Sequence, residues 1–340
     1  LAMPVHWYYN LMDIYKQFPG GITKLEAAPK RHPSSIMSLH STKQGGRNAR
    51  NSKRSQAEIV GDVILKGKRQ FWDQSNQHYH QGMSAGENTL NAHCARATMR
   101  TLAANGGHYN EDLFLDAYIE LMTADPALHP DTYAESYHRG FFANLSAGKK
   151  RNKCGAVTHD TASIGGLVTI APIVISERLR GTSLEIVQAI CHKHLQLTHP
   201  DDYLAKVCSD YVGLLDALLF RLEADSAQEI IATWAKRSIR MAMPELLSKV
   251  HSDNDVVGRL FSSACYITDS WPSVLYLAYK YGEKPKAGLL ANANLGGDNV
   301  HRGTVLGAIL GLATNNIPTE LYDELLDKDL IEEEIAVLLN

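Results

Sequence analysis

From about residue 55 onward the chain repeats apolar residues at helical spacing almost without a break, and strand-like alternation is scarce. A chain patterned this way buries its apolar stripes by packing helix on helix, so the fold class expected is all-α. GENTLNAHCARATMRTLAANGG, 86–107, predicts a helix stopped by Asn105-Gly106-Gly107. NEDLFLDAYIELMT, 110–123, predicts one that starts on Asn110 with acids in its first turn. Further helices are expected over 131–148 and after Thr182, which stands at capping-box spacing from Glu185. Two more are expected after Pro200 and over 269–282, the second with Ser270 as cap and Pro272 in the first turn. The stretch from Ile317 to Asn340 reads as one closing helix with an acidic face. GGLVTIAPIVI, 165–175, reads equally as a strand or as a buried helix interrupted by Pro172.

Length and charge set the remaining bounds. The 340 residues can form one domain, 1–340, although chains of this size often split. A net charge of −3 gives no global field for nucleic acid or an anionic membrane surface. No apolar run approaches the roughly 20 residues of a membrane span, and no basic-then-apolar leader is present, which predicts a cytoplasmic protein. Five widely spaced cysteines, with no CxxC, fit reduced core residues in the same compartment. Residues 29–55 are polar and basic, with Lys43, Arg47, Arg50, Lys53 and Arg54. They read as a solvated surface loop rather than a polyanion grip.

Three polar constellations interrupt the apolar pattern. The first is NANLGGDNVHRGTVLGAILGLA, 292–313, where Asp298, Asn299, His301 and Arg302 crowd the mouth of an apolar helix. Capping accounts for one of these four, and Arg302 so near a helix N-terminus opposes the dipole and asks for an anionic partner. Gly303, Gly307 and Gly311 share one face and predict a closely packed neighbour. The second is HYHQGMSAGENTLNAH, 78–93, where Glu87 and Asn91 are expected as i, i+4 neighbours with Asn88 one step round. The third is the His159–Asp160 pair, a weak acid/base candidate because adjacent residues rarely point together.

The opening constellation resembles the C-terminal signature of the ADP-ribosylglycohydrolase family, roughly N-x-G-G-D-T-D-T followed by a small-residue helix. It matches at Asn294, Gly296, Gly297 and Asp298, then at Gly307-Ala308 and Gly311. LAMPVHW, 1–7, is similar to the family's D-A-L-G-x-P-V-E with its opening residues cut off. LTHPDDYLAKVCSDYV and DSWPSVLYLAYKY resemble two of its helix segments, in the expected order.

The resemblance implies a compact, single-domain all-α fold with a central active-site cleft. It also implies hydrolysis of an N- or O-glycosidic bond to ADP-ribose, in a small molecule or on an ADP-ribosylated side chain. Typical members hold two magnesium ions with T-D-D-T and D-T-D-T segments. Here those slots read Gly86-Glu87-Asn88-Thr89 and Asp298-Asn299-Val300-His301, and the Glu of P-V-E is His6. The expectation is therefore a degenerate site with at most one Mg²⁺, on Glu87 and Asp298. Catalysis would fall to Glu87, Asp298 and His301. His6, Asn88, Asn91, Asp160, Asn299 and Arg302 would bind the ligand, with Arg302 on its diphosphate. The family also contains the J1 crystallins of jellyfish lens, so a structural role, or ADP-ribose binding without cleavage, is the alternative.

Overall fold

The computed structural model describes residues 1–37 and 59–340. Most of the basic segment expected as a loop, including Lys43, Arg47, Arg50, Lys53 and Arg54, lies outside the described residues. Among the described residues there is no sheet, and strand pairing is confined to isolated bridges such as Ser163 with Tyr266. The all-α expectation holds. Among the described residues no helix is long and apolar enough to cross a membrane.

The longer helices are α1 (Leu90–Ala104), α2 (Glu111–Thr123), α3 (Ser136–Ser146), α4 (Ile170–Leu179), α5 (Leu184–Thr198) and α6 (Asp202–Leu219). They continue as α7 (Ala227–Ile239), α8 (Ile267–Lys280), α9 (Pro285–Asn294), α10 (Asn299–Thr314) and α11 (Lys328–Leu339). Caps set several starts. The Asn110 side chain accepts from the backbone N–H groups of Asp112 and Leu113, and Asp201 accepts from Leu204. Ser183, not Thr182, caps α5, accepting from Ile186.

Several boundaries differ from the sequence reading, among them the start of α3, which falls at Ser136 and not at residue 131. α8 begins at Ile267, so Pro272 lies inside it and Ser270 is no cap; the Ser270 hydroxyl donates back to the Tyr266 carbonyl at 2.8 Å. The C-terminal stretch is not one helix, because a turn separates Thr319–Tyr322 from α11. α11 is pinned to α1 by Arg96, whose guanidinium donates to Asp327 and Glu334, with Arg100 adding a bond to Glu334 at 2.8 Å. Residues 165–175 resolve as helix: a 3-10 turn, Ile164–Leu167, leads into α4 with Pro172 in its first turn.

The main core lies among α4, α6, α8 and α10, with Ile173, Leu214, Val274 and Ile309 wholly buried. Each such side chain contributes roughly 1.5–3 kcal/mol through the water-exposed area it removes. A second apolar cluster joins Trp72, Leu90, Phe114 and Phe141, and a third gathers Val5, Tyr8, Ile14 and Ala293. His6 sits between members of the third and second clusters, and Asp298 follows Leu295 of the first.

α9 and α10 are joined by the turn Leu295–Asp298, and this turn fixes the site. Gly296 and Gly297 have φ of +59° and +62°. A Cβ at Gly296 would meet the Tyr8 carbonyl oxygen at 2.1 Å, and one at Gly297 the Ser263 carbonyl oxygen at 2.0 Å. Only glycine satisfies both demands. The expected close packing along the glycine stripe of α10 holds at Gly303 alone, where a Cβ would press on the Asn292 amide at 2.7 Å; Gly311 has nothing within 4 Å. Arg302 braces the same turn. Its guanidinium is fully buried and donates to the Asn292 side chain at 2.8 Å, and to the carbonyls of Asn292, Ser263 and Gly296. Burial lowers its pKa to about 10, which leaves it cationic at neutral pH.

Replacing Gly297 with Ala is therefore expected to destabilise the protein by about 2 kcal/mol or more, read as a lower urea midpoint at unchanged slope. Arg302→Met, which strands four acceptors, should cost about 3 kcal/mol or more in the same measurement. An unchanged midpoint in either variant would mean that the turn is not held this way.

Candidate active site

The segment that carries His6 runs against the glycine turn. The Trp7 N–H donates to the Gly297 carbonyl at 2.7 Å, and the Gly297 N–H donates to the Tyr8 carbonyl at 2.8 Å. Asp298 N–H donates to the Ser263 carbonyl at 2.8 Å. These bonds bring His6, Asp298 and His301 together, all buried. Asp298 precedes α10 but makes no side-chain capping bond, so capping is not its role. Its Oδ1 lies 3.1 Å from His6 Nε2 and 2.6 Å from His301 Nδ1, while its Oδ2 has no hydrogen-bond partner.

Both imidazoles are gripped at their far nitrogens. His6 Nδ1 lies 2.7 Å from His80 Nε2, and His80 Nδ1 lies 2.7 Å from Asp131 Oδ1. Asp131 is itself fixed, accepting the Leu90 N–H on Oδ2 at 2.8 Å. His301 Nε2 lies 3.2 Å from Glu135 Oε1 and 2.6 Å from Asn91 Nδ2, and Tyr137 donates its hydroxyl to Asn91 Oδ1 at 2.7 Å. Burial pushes the His6 pKa down to about 3 against the pull of Asp298. Burial also opposes charge on His301, but Asp298 and Glu135 together outweigh it and raise His301 well above the ordinary range. Asp298 is held below the carboxylate range, because His301 and His6 overcome the upward push of desolvation.

A pocket of about 400 Å³ opens beside this cluster, with Trp7, Tyr9, Tyr79, Tyr133 and Tyr266 on its walls. Trp7 is shared between the two: it stacks on His6 at 4.0 Å between ring centroids and meets Tyr79 and Tyr133 edge-on at 4.5 and 4.9 Å. Tyr133 is stacked on Trp72 at 5.3 Å, with Arg139 over both rings. Trp7 has φ of +61°, a left-handed conformation that a bulky residue adopts at a cost of about 1–3 kcal/mol.

The His159–Asp160 pair stands on the pocket wall. Although adjacent in sequence, the two do converge, with His159 Nε2 3.0 Å from Asp160 Oδ1. Ser136 donates its N–H and its hydroxyl to Asp160 Oδ2 at 3.0 and 2.7 Å. Burial pushes the Asp160 pKa up, but His159 and Ser136 prevail and hold it below the usual range.

Several expected residues lie elsewhere. Glu87 and Asn88 precede α1 instead of riding on it, because the helix starts at Leu90, so Glu87 and Asn91 are not neighbours on a helical face. The Glu87 carboxylate accepts the Ser84 N–H at 2.6 Å, and Glu87 and Asn88 line a different cavity with Val300. Glu87 thus does not join Asp298. Arg302 is walled off from solvent and engaged with neutral acceptors, so it offers nothing to a diphosphate. Asn299 is likewise a brace, donating to the carbonyls of Ala293 and Val5 at 2.9 and 3.3 Å.

Asp131 and Glu135 were missed because 131–148 reads as one helix, whereas α3 starts only at Ser136 and the two acids precede it. The one available signal was two acids four residues apart, beside aromatic and small residues and not lysines. The aromatic walls were legible only as the runs HWYY and HYH.

Among the described residues, one group of three metal-competent side chains converges: His6, Asp298 and His301, whose ligand atoms all lie within 4.8 Å of one another. Magnesium takes about six oxygens, and this donor set has two nitrogens and one carboxylate. The residues present do not fit a pair of magnesium ions.

A search of curated protein sequences finds no match. The fold is similar to that of a solved structure titled "ADP-ribosylglycohydrolase-related protein complex". The two are 16% identical with a TM-score of 0.57, over 75% of this chain and 82% of the other. The family model for ADP-ribosylglycohydrolase matches residues 1–340. The glycine turn, the helical architecture and that match along the full length agree: this chain belongs to the ADP-ribosylglycohydrolase family.

Proposed function

We propose that the protein hydrolyses a glycosidic bond to ADP-ribose or a closely related nucleotide sugar, with the aromatic pocket as its substrate site. The observation that carries this reading is a buried, ionised carboxylate, Asp160, on the wall of a cavity lined by aromatic rings. Rings of this kind stack on a base or pack against a ribose face, and about 400 Å³ falls within the usual range of small-ligand sites.

Cleavage breaks the bond between the anomeric carbon and its nitrogen or oxygen. The electron pair leaves with the departing atom, which takes up a proton. The ribose develops oxocarbenium character before water oxygen bonds to the carbon and surrenders a proton. A carboxylate whose charge is held by Ser136 and His159 suits the stabilisation of that developing cation. His159, in contact with Asp160, is placed to relay the water proton. Asp298 and His301 stand behind Trp7 and support the pocket floor through His6. This assignment gives Asp160, first expected to bind the ligand, a catalytic role in place of Glu87.

Asp160→Asn keeps the size and one acceptor oxygen for Ser136 but removes the charge and the oxygen that faces His159. It is expected to lower kcat for ADP-ribosyl-arginine or ADP-ribosyl-serine hydrolysis by about 10²-fold or more, with ADP-ribose affinity changed only a few-fold. An unaltered kcat in a folded variant would remove Asp160 from the mechanism. Calorimetric titration of the wild type should show ADP-ribose binding both with excess magnesium and with EDTA. Binding that appeared only with magnesium would contradict the rebuilt site. Binding without turnover of either conjugate would mark a reader of ADP-ribose, and absence of binding would overturn the proposal.

A further inference from the structure

The buried cluster behind Trp7 has a proton count that a metal ion resolves. The run Asp131–His80–His6–Asp298 has a carboxylate at each end, and each end requires an N–H. The His80–His6 contact at 2.7 Å requires a third. Two neutral imidazoles carry two N–H groups between them, so the run closes only with an extra buried proton.

A cation at His6 Nε2 removes that demand. His6 Nδ1–H then donates to His80 Nε2, His80 Nδ1–H donates to Asp131, and both rings are neutral. At His301 a cation on Nδ1 leaves Nε2 beside Asn91 Nδ2 at 2.6 Å and Glu135 Oε1 at 3.2 Å.

Geometry and donor chemistry agree. The two imidazole nitrogens lie 3.1 and 2.6 Å from Asp298 Oδ1, and a tetrahedral ion held at about 2.1 Å would part these neighbouring donors to roughly 3.4 Å. Asp298 is wholly buried and its Oδ2 has no partner. Each imidazole is oriented from behind by a carboxylate, His6 through His80 and Asp131 and His301 by Glu135, the support that metal-binding histidines ordinarily have. We infer that His6 Nε2, His301 Nδ1 and the Asp298 carboxylate bind one divalent ion of the imidazole-accepting kind, zinc or cobalt, in preference to magnesium. The ion ties the N-terminal segment to α10 beneath Trp7. This inference does not depend on what the pocket binds.

The test uses the full chain, stripped of metal and then given Zn²⁺ or Co²⁺ with excess magnesium present. After gel filtration, elemental analysis should find about one zinc or cobalt per chain. The cobalt form should show visible d–d absorption bands that millimolar magnesium does not remove. His301→Gln and Asp298→Asn, each checked for native circular dichroism, should lose the bound ion. If a variant fails to fold, the cobalt spectrum and the magnesium competition on the wild type decide alone. Retention of less than about a tenth of an equivalent by the wild type would overturn the inference. So would equal displacement by magnesium, or full retention by a folded variant. None of these readouts involves ADP-ribose, so failure here leaves the proposed activity standing, and failure of that activity leaves this site standing.

Discussion

The rest of the structure depends on the reciprocal pair of hydrogen bonds between Trp7-Tyr8 and Gly297. Through it a segment at the start of the chain is stitched to one some 290 residues later, and the candidate chemistry is assembled at that seam. Neither partner has slack. Gly297 cannot carry a side chain because the Ser263 carbonyl occupies the place of its Cβ, and Gly296 is blocked in the same way by Tyr8. Arg302, fully buried, gathers the carbonyls of the turn so that their dipoles are satisfied without water. The turn is thus over-determined from three directions, and the Asp298 side chain emerges in one place only.

That rigidity makes a dense buried polar cluster tolerable. Asp298, Asp131 and Glu135 are removed from water, and an isolated carboxylate in such surroundings would protonate or unfold the site. Each is instead met by imidazole or backbone N–H groups whose positions are set by separate elements. Leu90 at the start of α1 anchors Asp131, and α10 presents His301 one turn after Asp298. The cluster lies where the three apolar clusters meet, so the helices that form the core also align its polar atoms.

Much of the helical layout was legible from periodicity and punctuation. α2 starts at its Asn110 cap as read, and α4 absorbs Pro172 in its first turn. Failures came where a local signal competed with tertiary contacts. Ser270 looked like a cap, but its hydroxyl bonds backward and α8 extends past it. Glu87 looked like the first turn of a helix, but the N–H of Leu90 is claimed by Asp131 and Glu87 folds onto Ser84. The candidate site was half legible. His6 was marked by the family resemblance and Asp298 and His301 by being polar in apolar surroundings, and the three do converge. Arg302 was marked for the same reason and is a brace, because sequence cannot distinguish a buried cation facing a ligand from one facing carbonyls. Asp131 and Glu135 escaped notice because nothing local says that the segment leading into α3 faces inward.

Trp7 links the pocket to the cluster. One side of the indole lies on His6, and its edges meet the tyrosines that wall the pocket. Its left-handed backbone stores strain that the Gly297 bonds on either side hold in place. A ligand that displaced the indole would have to break the stacking on His6, and the His6 imidazole cannot shift without disturbing both Asp298 and His80. The pocket and the buried cluster are therefore mechanically one unit, although solvent reaches only the first. Imidazoles held by buried acids need such cover, because their hydrogen bonds keep their strength only where water cannot compete for them.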